Sequence, residues 1–277
     1  MFRRLMCGLV AAVLVTGCAG TLPEVPALSD SGTWKPGKVV WRDLVTPNLG
    51  QAKTFYGGLF GWTFEDASKD YTLIRNGDRL IGGMAELASS DRSAYWLPLV
   101  SVRDVDWAVD VTVSAGGESL TKPFDVPGRG RVGVLSDPGG APFAVIKTTQ
   151  GDPADRIPGI NEWMWQEIWT DDVEAEAEFY ARLAGYTLTT KDVYGSAYSY
   201  LSVDELPRVG VITKSDPEIH NTWVNYVRVA DLDATVAKVA QLGGVVLMAP
   251  TAEVRDGNVA IIADPQGAGL VLQEIKR

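Results

Sequence analysis

Short apolar stretches of changing period predict a strand, a helix and three further strands between residues 39 and 87. Val39–Val45 is an apolar-rich strand, and Asn48 then caps a helix that ends at Gly61. The apolar positions of this helix recur at helical spacing: Leu49, Ala52, Phe55, Tyr56 and Leu59. Three strand-like segments follow, Thr63–Asp66, Tyr71–Arg75 and Arg79–Leu87, with the hairpin signal Asn76-Gly77 between the last two.

The same order of elements begins again after residue 95. Trp96–Val102 is a predicted strand, Val105–Ala115 a helix that Gly116-Gly117 ends, and three more strands reach Lys147. The pattern therefore predicts a second βαβββ module directly behind the first.

The second half of the chain repeats the first half. Trp41-Arg42-Asp43-Leu44-Val45-Thr46 returns as Trp165-Gln166-Glu167-Ile168-Trp169-Thr170, at a spacing of 124 residues. Later pairs share a spacing of 127 residues, namely Trp96 and Trp223, Asp104 and Asp231, Pro123 and Pro250, and Asp137 and Asp264. The chain is thus four βαβββ modules in two tandem domains, 39–148 and 163–277, with a linker over 149–162.

The motif Leu44-x-Thr46-x-Asn48, followed by Phe55-Tyr56-x-x-Leu59-Phe60-Gly61-Trp62, resembles the opening module of the vicinal oxygen chelate superfamily. That superfamily includes glyoxalase I, bleomycin-resistance proteins and extradiol dioxygenases. The closing segment Ala263-Asp264-Pro265-Gln266-Gly267-Ala268 is similar to the end of the same domain. The resemblance implies an α+β fold, in which the four βαβββ modules form two tandem glyoxalase/bleomycin-resistance-like domains with concave mixed sheets.

The first residues are typical of an export signal. Arg3 and Arg4 precede the short apolar run Leu5–Val15, which is too short to span a membrane. Val15-Thr16-Gly17-Cys18 resembles the lipobox of bacterial lipoproteins, which implies a signal peptide over 1–17 and a lipid on Cys18. An ordinary secretory signal with a coincidental cysteine is the alternative.

Residues 18–38, rich in Pro, Gly and Ser, are then expected to be a lipidated tether. The predicted location is the bacterial cell envelope, at the periplasmic face of the outer membrane. Cleavage before Cys18 also removes Cys7, so the exported domains contain no disulfide and depend on a full hydrophobic core.

Net charge and histidine content restrict the possible functions. A formal net charge of −10 argues against nucleic acid as a partner, because phosphate contacts need clustered Lys and Arg. The single histidine, His220, excludes multi-histidine metal sites and is expected in an exposed loop. Arg129 and Arg131 are read as solvated charges at a hairpin turn, although they are also placed to clamp an anion.

The family's divalent metal is not expected in this chain. The resemblance implies metal ligands on the first strand and late strands of the modules. The corresponding residues here are Trp41, Gly83, Leu97 and Ala144 in the first domain, and Trp165, Gly210, Val224 and Val271 in the second. None of these side chains supplies the O, N or S donor that a metal needs. We therefore expect neither a metal nor another cofactor.

Aromatic and charged side chains are predicted on the concave faces instead. The candidate ligand-binding residues are Trp41, Asp43, Tyr71, Trp165, Glu167, Trp169, Tyr198, Tyr226 and Arg228. Asp43 and Glu167 are the candidate catalytic residues, as acid/base groups. Alternatively they are carboxylates paired with arginine, Glu167 with Arg228. Trp41 and Trp165 either line an open pocket or fill it.

Three functions remain open at this point. The first is binding of a small aromatic or amphipathic molecule by a metal-free, lipid-anchored protein. The second is a lyase, isomerase or hydroxylase-like enzyme that uses Asp43 or Glu167. The third is a structural or partner-binding envelope protein with filled pockets. A homodimer, in which modules pair across two chains, is also compatible with the sequence.

Overall fold

The computed structural model describes residues 25–87, 93–193 and 195–275; the predicted signal peptide and Cys18 lie outside these ranges. Over the described residues the chain forms two mixed sheets, of nine and eight strands, and four α-helices. This architecture confirms the predicted α+β fold of four βαβββ modules.

The modules of the first domain follow one another along the chain. The first consists of β1 (Val39–Thr46), α1 (Leu49–Phe60), β2 (Thr63–Asp66), β3 (Tyr71–Asn76) and β4 (Arg79–Glu86). The second consists of β5 (Tyr95–Ser101), α2 (Val105–Ser114), β6 (Glu118–Ser119), β7 (Phe124–Val126), β8 (Gly130–Ser136) and β9 (Pro142–Thr148).

The second domain repeats this order. Its modules are β10 (Trp163–Thr170), α3 (Val173–Ala184), β11 (Thr187–Val193), β12 (Ser196–Val203) and β13 (Leu206–Thr213), and then β14 (Thr222–Val229), α4 (Leu232–Val239), β15 (Val245–Met248), β16 (Val259–Ala263) and β17 (Gly269–Glu274). In every module the first strand pairs in parallel with the last strand, and the remaining ladders are antiparallel.

Side-chain caps set the start of each of the four described α-helices. Asn48, Asp104, Asp172 and Asp231 each accept a hydrogen bond from a backbone N–H of the first turn. Helices α1 and α3 end at Gly61 and Gly185, which have φ values of 71° and 73°. Only glycine adopts this left-handed conformation without strain, so the predicted helix stops are confirmed.

The described chain divides into two compact units, and each unit takes one module from each domain. The α2–α3 unit comprises residues 25–41, 97–155 and 167–223. Its core packs helices α2 and α3 on their strands, through fully buried residues such as Phe143, Tyr180 and Ile168. The sequence repeat therefore does not coincide with this hydrophobic core.

The α1–α4 unit comprises residues 42–96, 156–166 and 224–277, apart from the residues not described. Its core packs helices α1 and α4 through buried side chains that include Phe55, Tyr56, Met84 and Leu272. An aromatic cluster surrounds Tyr56, with the Trp62 ring stacked on it at 5.6 Å.

A buried hydrogen-bond chain runs through each core. In the α1–α4 unit the Trp96 indole donates to the Tyr56 hydroxyl (3.0 Å), which donates to Asp264 Oδ2 (3.1 Å). The α2–α3 unit repeats it with Trp223, Tyr180 and Asp137, at 3.0 and 2.8 Å. The second carboxylate oxygen of each aspartate accepts hydrogen bonds from backbone N–H groups of the following loop. The polar side-chain atoms of these two Trp–Tyr–Asp chains thus have partners, as buried groups require.

The two copies of the sequence repeat differ at a buried position of their first helices, α1 and α3. Glu176 of α3 lies in the α2–α3 core, whereas the repeat places Ala52 at the equivalent position. Burial and the nearby Asp137 and Asp172 carboxylates raise the pKa of Glu176 to about 8, and burial raises the pKa of Asp137 to about 6. The Glu176 carboxyl therefore keeps its proton at neutral pH.

The segment before β1 lies on the α2–α3 unit from Val25 onward. Val25 is buried, and its amide donates to the Pro127 carbonyl at 3.3 Å. Further along, Trp34 Nε1 donates to the Thr148 carbonyl at 2.9 Å. None of the helices in the described part of the chain is long and apolar enough to cross a bilayer.

We expect E176Q to reduce the pH dependence of stability. Between pH 4.5 and 8 the unfolded chain loses a proton that folded Glu176 keeps, so the wild-type free energy of unfolding falls as pH rises. The amide does not titrate, so E176Q should have a shallower slope and exceed the wild type at pH 8 by on the order of 2 kcal/mol. Urea denaturation at pH 5 to 8 measures both.

E174Q is the matched control, because Glu174 is an exposed carboxylate in the first turn of the same helix. It should keep the wild-type slope. An E176Q variant with the wild-type slope would contradict the assignment of a buried protonated carboxyl at this position.

Candidate functional site

A buried carboxylate and a tyrosine hydroxyl form a pair on the first module. Asp43 of β1 is buried, and the Tyr71 hydroxyl of β3 donates to its Oδ1 at 2.7 Å. The parallel register of β1 and β4 places Asp43 directly opposite Gly83. These three residues come from three strands of one module, so the sheet itself fixes their geometry.

Glycine at position 83 is a requirement of this pair. A Cβ atom there would lie far inside contact distance of both the Tyr71 hydroxyl and Asp43 Oδ1. The hydrogen bond between them therefore fills the space that a side chain at position 83 would occupy.

The third module repeats the pair and its glycine. The Tyr198 hydroxyl donates to Glu167 Oε1 at 2.8 Å, and the Trp169 indole donates to Glu167 Oε2 at 3.0 Å. Glu167 is fully buried and lies opposite Gly210 in the β10–β13 register. A Cβ at Gly210 would overlap the Tyr198 hydroxyl and approach Glu167 Cγ to 2.8 Å. We call these groups the Asp43 pair and the Glu167 pair.

Both carboxylates are buried, but the rings beside the two pairs differ in exposure. Every residue of β1 is buried, including Trp41 and Asp43, and Tyr71 is buried as well. On β10, Trp165 and Trp169 are half-buried, as is Tyr198 of β12. Glu167 and Trp169 alternate along one strand and so share a face of β10. The surroundings of the Glu167 pair thus present aromatic surface that a ligand can reach.

Two of the predicted aromatic residues lie under guanidinium groups. The Arg129 guanidinium lies 4.2 Å from the centre of the Trp41 ring, and that of Arg255 lies 5.3 Å from the Tyr226 ring. Arg129 is only 3% exposed, so its interpretation as a solvated turn residue was wrong. Arg131 does lie at the surface, where it pairs with Asp106 and Asp125.

Other candidate residues have contacts of a different kind. Arg228, predicted to pair with Glu167, donates from Nη1 to the Pro158 carbonyl at 2.8 Å. The expected ion pair is therefore corrected to a contact with the backbone. His220 is exposed in its loop, as the sequence predicts.

The strand register also shows what lies beside the positions that the family resemblance offers for a metal. Gly83 is paired with Asp43, two residues beyond Trp41, and Gly210 with Glu167, two beyond Trp165. In the remaining modules Leu99 faces Ala144 and Tyr226 faces Val271. Across residues 25–87, 93–193 and 195–275, no three His, Cys, Asp or Glu side chains are grouped to hold a metal ion.

Comparisons with protein families match both halves of the chain. Residues 38–145 match the Glyoxalase/Bleomycin resistance protein/Dioxygenase superfamily, and residues 167–272 match the Glyoxalase-like domain. CFP32 of Mycobacterium tuberculosis, a provisionally named glyoxylase, is 29% identical over 85% of this chain and 94% of its own length. The anthracycline biosynthesis protein DnrV of Streptomyces peucetius is 29% identical over 87% of this chain and 94% of its own.

Solved structures share the fold. The Mn(II)-bound glyoxalase from Novosphingobium aromaticivorans superposes with a TM-score of 0.59 at 11% identity, over 87% of this chain and 82% of that chain. A variant of homoprotocatechuate 2,3-dioxygenase from B. fuscum gives a TM-score of 0.60 at 14% identity, over 91% of this chain and 75% of that chain. At these identities the likeness concerns the fold alone.

We expect G83A and G210A each to lower the free energy of unfolding by about 1–3 kcal/mol, because the added methyl group overpacks a carboxylate–tyrosine pair. Removing the hydroxyl in the same molecule, as G83A/Y71F and G210A/Y198F, should recover part of this loss. Urea denaturation of the single and double variants gives the coupling energy.

G269A is the control, since a Cβ at this strand glycine would meet nothing within 4 Å. Its stability should stay close to that of the wild type. If G83A and G210A were as stable as G269A, the close packing of the two pairs would be refuted.

Proposed function

We propose that this chain, which belongs to the glyoxalase/bleomycin resistance/dioxygenase superfamily and has two tandem domains, is a small-molecule-binding protein of the glyoxalase/bleomycin-resistance type. In this proposal the protein binds its ligand beside the Glu167 pair, without the family's metal. We further propose that it is anchored to the cell envelope by a lipid on Cys18.

The observation that carries this proposal is the contrast between the two pairs. Both keep a carboxylate bonded to a tyrosine, but only the second lies among half-buried aromatic rings. Accessible aromatic surface beside a buried polar group is the usual composition of a small-molecule site. We assign the Asp43 pair, with its buried surroundings, to the structure of the first module.

The chemistry of the Glu167 pair suggests the class of ligand. Carboxylate oxygens accept hydrogen bonds, so the pair favours a ligand that brings an N–H, an O–H or a positive charge. Trp169 and Tyr198 favour a planar or cationic body that stacks on their rings. Two relatives are named anthracycline biosynthesis proteins, so an anthracycline is a suitable first probe.

The positions that the family resemblance offers for a metal do not fit one, because none of their side chains is a metal ligand. They are Trp41, Gly83, Leu97, Ala144, Trp165, Gly210, Val224 and Val271. Glu167 and Asp43 each already accept a tyrosine hydroxyl, and each faces a glycine. Ala144 and Val271 are paired in the sheet register with Leu99 and Tyr226, and of these two only Tyr226 carries an oxygen, a phenol. A divalent ion needs several O, N or S ligands that converge on it, so the proposed function involves no metal.

An acid/base enzyme is the second candidate, and the same hydrogen bond favours it. A carboxylate held by two donors in a fixed position is arranged as a general base needs to be, provided that a substrate proton comes within hydrogen-bond distance. Binding and turnover separate the two functions.

Lipid anchoring would hold the protein close to the membrane. The chain lies on the α2–α3 unit from Val25 onward, so only residues 19–24 would connect the fold to Cys18. Six extended residues reach about 20 Å.

We expect E167Q to weaken binding of an anthracycline by about 10- to 100-fold, because an amide NH₂ takes the place of one acceptor oxygen and the charge is lost. Quenching of tryptophan fluorescence by the titrated ligand measures the affinity. D43N is the matched control from the buried pair and should bind like the wild type.

Three outcomes discriminate among the functions. Equal loss in D43N and E167Q would contradict binding at the Glu167 pair. Conversion of the bound molecule, seen by mass spectrometry and abolished by E167Q, would establish the acid/base alternative. Loss of binding in EDTA that a divalent metal restores would refute the metal-free site.

We expect the full-length wild type to fractionate with membranes and C18S to appear in the soluble extracytoplasmic fraction, since thiol acylation supplies the anchor. Mass spectrometry of the mature N-terminal peptide should show Cys18 carrying lipid. A C18S protein that remained bound to membranes, or a mature chain beginning at another residue, would contradict lipid anchoring.

A further inference from the structure

Within the described residues, a buried arginine of the α1–α4 unit has only neutral partners. Arg42 of β1 is 7% exposed, and its Nε donates to Asn225 Oδ1 at 2.7 Å. Its Nη2 donates to Gln166 Oε1 at 2.5 Å, and its guanidinium lies 5.1 Å from the Trp163 ring. Amide oxygens and an indole face satisfy hydrogen bonds but do not supply a negative charge.

The charge of Arg42 is therefore unbalanced within the described residues, where it forms no ion pair. Burial lowers the pKa of Arg42 to about 9, so the guanidinium is still charged at neutral pH. A buried charge without a partner is strongly unfavourable. Another buried charge of the same unit does have partners of opposite charge, because Glu162 forms ion pairs with both Arg79 and Arg156.

Next to this guanidinium lies a buried donor without a partner. Asn225 is fully buried, and its Nδ2 donates to no atom of the described chain. Because Nδ2 belongs to the same planar amide as Oδ1, which Arg42 Nε contacts, it lies within the reach of one ion that also touches the guanidinium. The guanidinium has a further free donor group, since Nη1 donates to none of the described residues.

We propose that Arg42 and Asn225 bind a small monovalent anion of the halide type, chloride in the simplest case. A halide supplies the one negative charge that is missing and accepts hydrogen bonds from any direction. A phosphate or sulfate would bring more charge and more acceptor oxygens than these donors can satisfy. The repeat has Gln166 at the position of Arg42, so the charge, and with it the anion, belongs to one copy only.

The test is the dependence of stability on halide. Urea unfolding of the full mature chain at pH 7 is measured in potassium gluconate, which is replaced stepwise by potassium chloride or bromide at constant ionic strength. Stability should rise and saturate with the halide concentration. At ten times the dissociation constant, the unfolding equilibrium constant should be about elevenfold lower than in gluconate. Equal stability in gluconate and in both halides would overturn the proposal.

Two variants locate the effect. N225D places a carboxylate at Arg42, so its stability should no longer respond to halide and should match or exceed that of the wild type in gluconate. R42M removes the cation and should abolish the response as well, which covers the case in which N225D does not fold. A halide response that persists in either folded variant would overturn the site.

N221D is the matched control. Asn221 is also a buried asparagine, but its Oδ1 accepts from Asp171 N and its Nδ2 donates to Thr170 Oγ1. This variant should keep the wild-type halide response, whatever its own stability. Loss of the response in N221D would show that the halide effect does not report on Arg42, and the proposal would fail.

Discussion

The rest of the structure depends on the tyrosine hydroxyl that is buried in each core. Tyr56 and Tyr180 each accept from a tryptophan indole and donate to an aspartate whose other oxygen holds loop amides. A buried hydroxyl without these partners would be strongly unfavourable, so the three elements that carry them must meet. Since the tyrosine and the aspartate come from different domains, this constraint fixes which modules share a core.

The most conspicuous repeats of the sequence are the members of this hydrogen-bond chain. Phe55-Tyr56 and Phe179-Tyr180, Trp96 and Trp223, and Asp137 and Asp264 all recur in register. From the sequence they indicate duplication but not contact, because periodicity predicts which face of a helix is buried and not which module covers it. The helices, their caps and the strand order of each module follow from local pattern. The pairing of α1 with α4 and of α2 with α3 does not.

The sequence also predicted part of the candidate site, namely its residues but not all of their contacts. Alternation along β1 and β10 identifies Asp43 and Glu167, and Tyr71 and Tyr198 were expected near them. The role of Gly83 and Gly210 was missed, although both recur at the spacing of 127 residues, because sequence alone does not show which atoms fill the space beside a glycine. Arg129 was misplaced for a related reason. A turn motif predicts exposure, but the Trp41 ring provides a buried surface for its guanidinium.

Duplication preserved the framework of the two copies and let their buried charges diverge. Glu176 replaces Ala52 and keeps a proton, whereas Gln166 replaces Arg42 and removes a cation. The Glu167 carboxylate accepts hydrogen bonds from a phenol and an indole, which hold its oxygens in place. Donated hydrogen bonds orient the acceptor oxygens of a carboxylate. Oriented acceptor oxygens beside half-buried rings are the physical reason why we expect this face to select a ligand with a donor group or a positive charge.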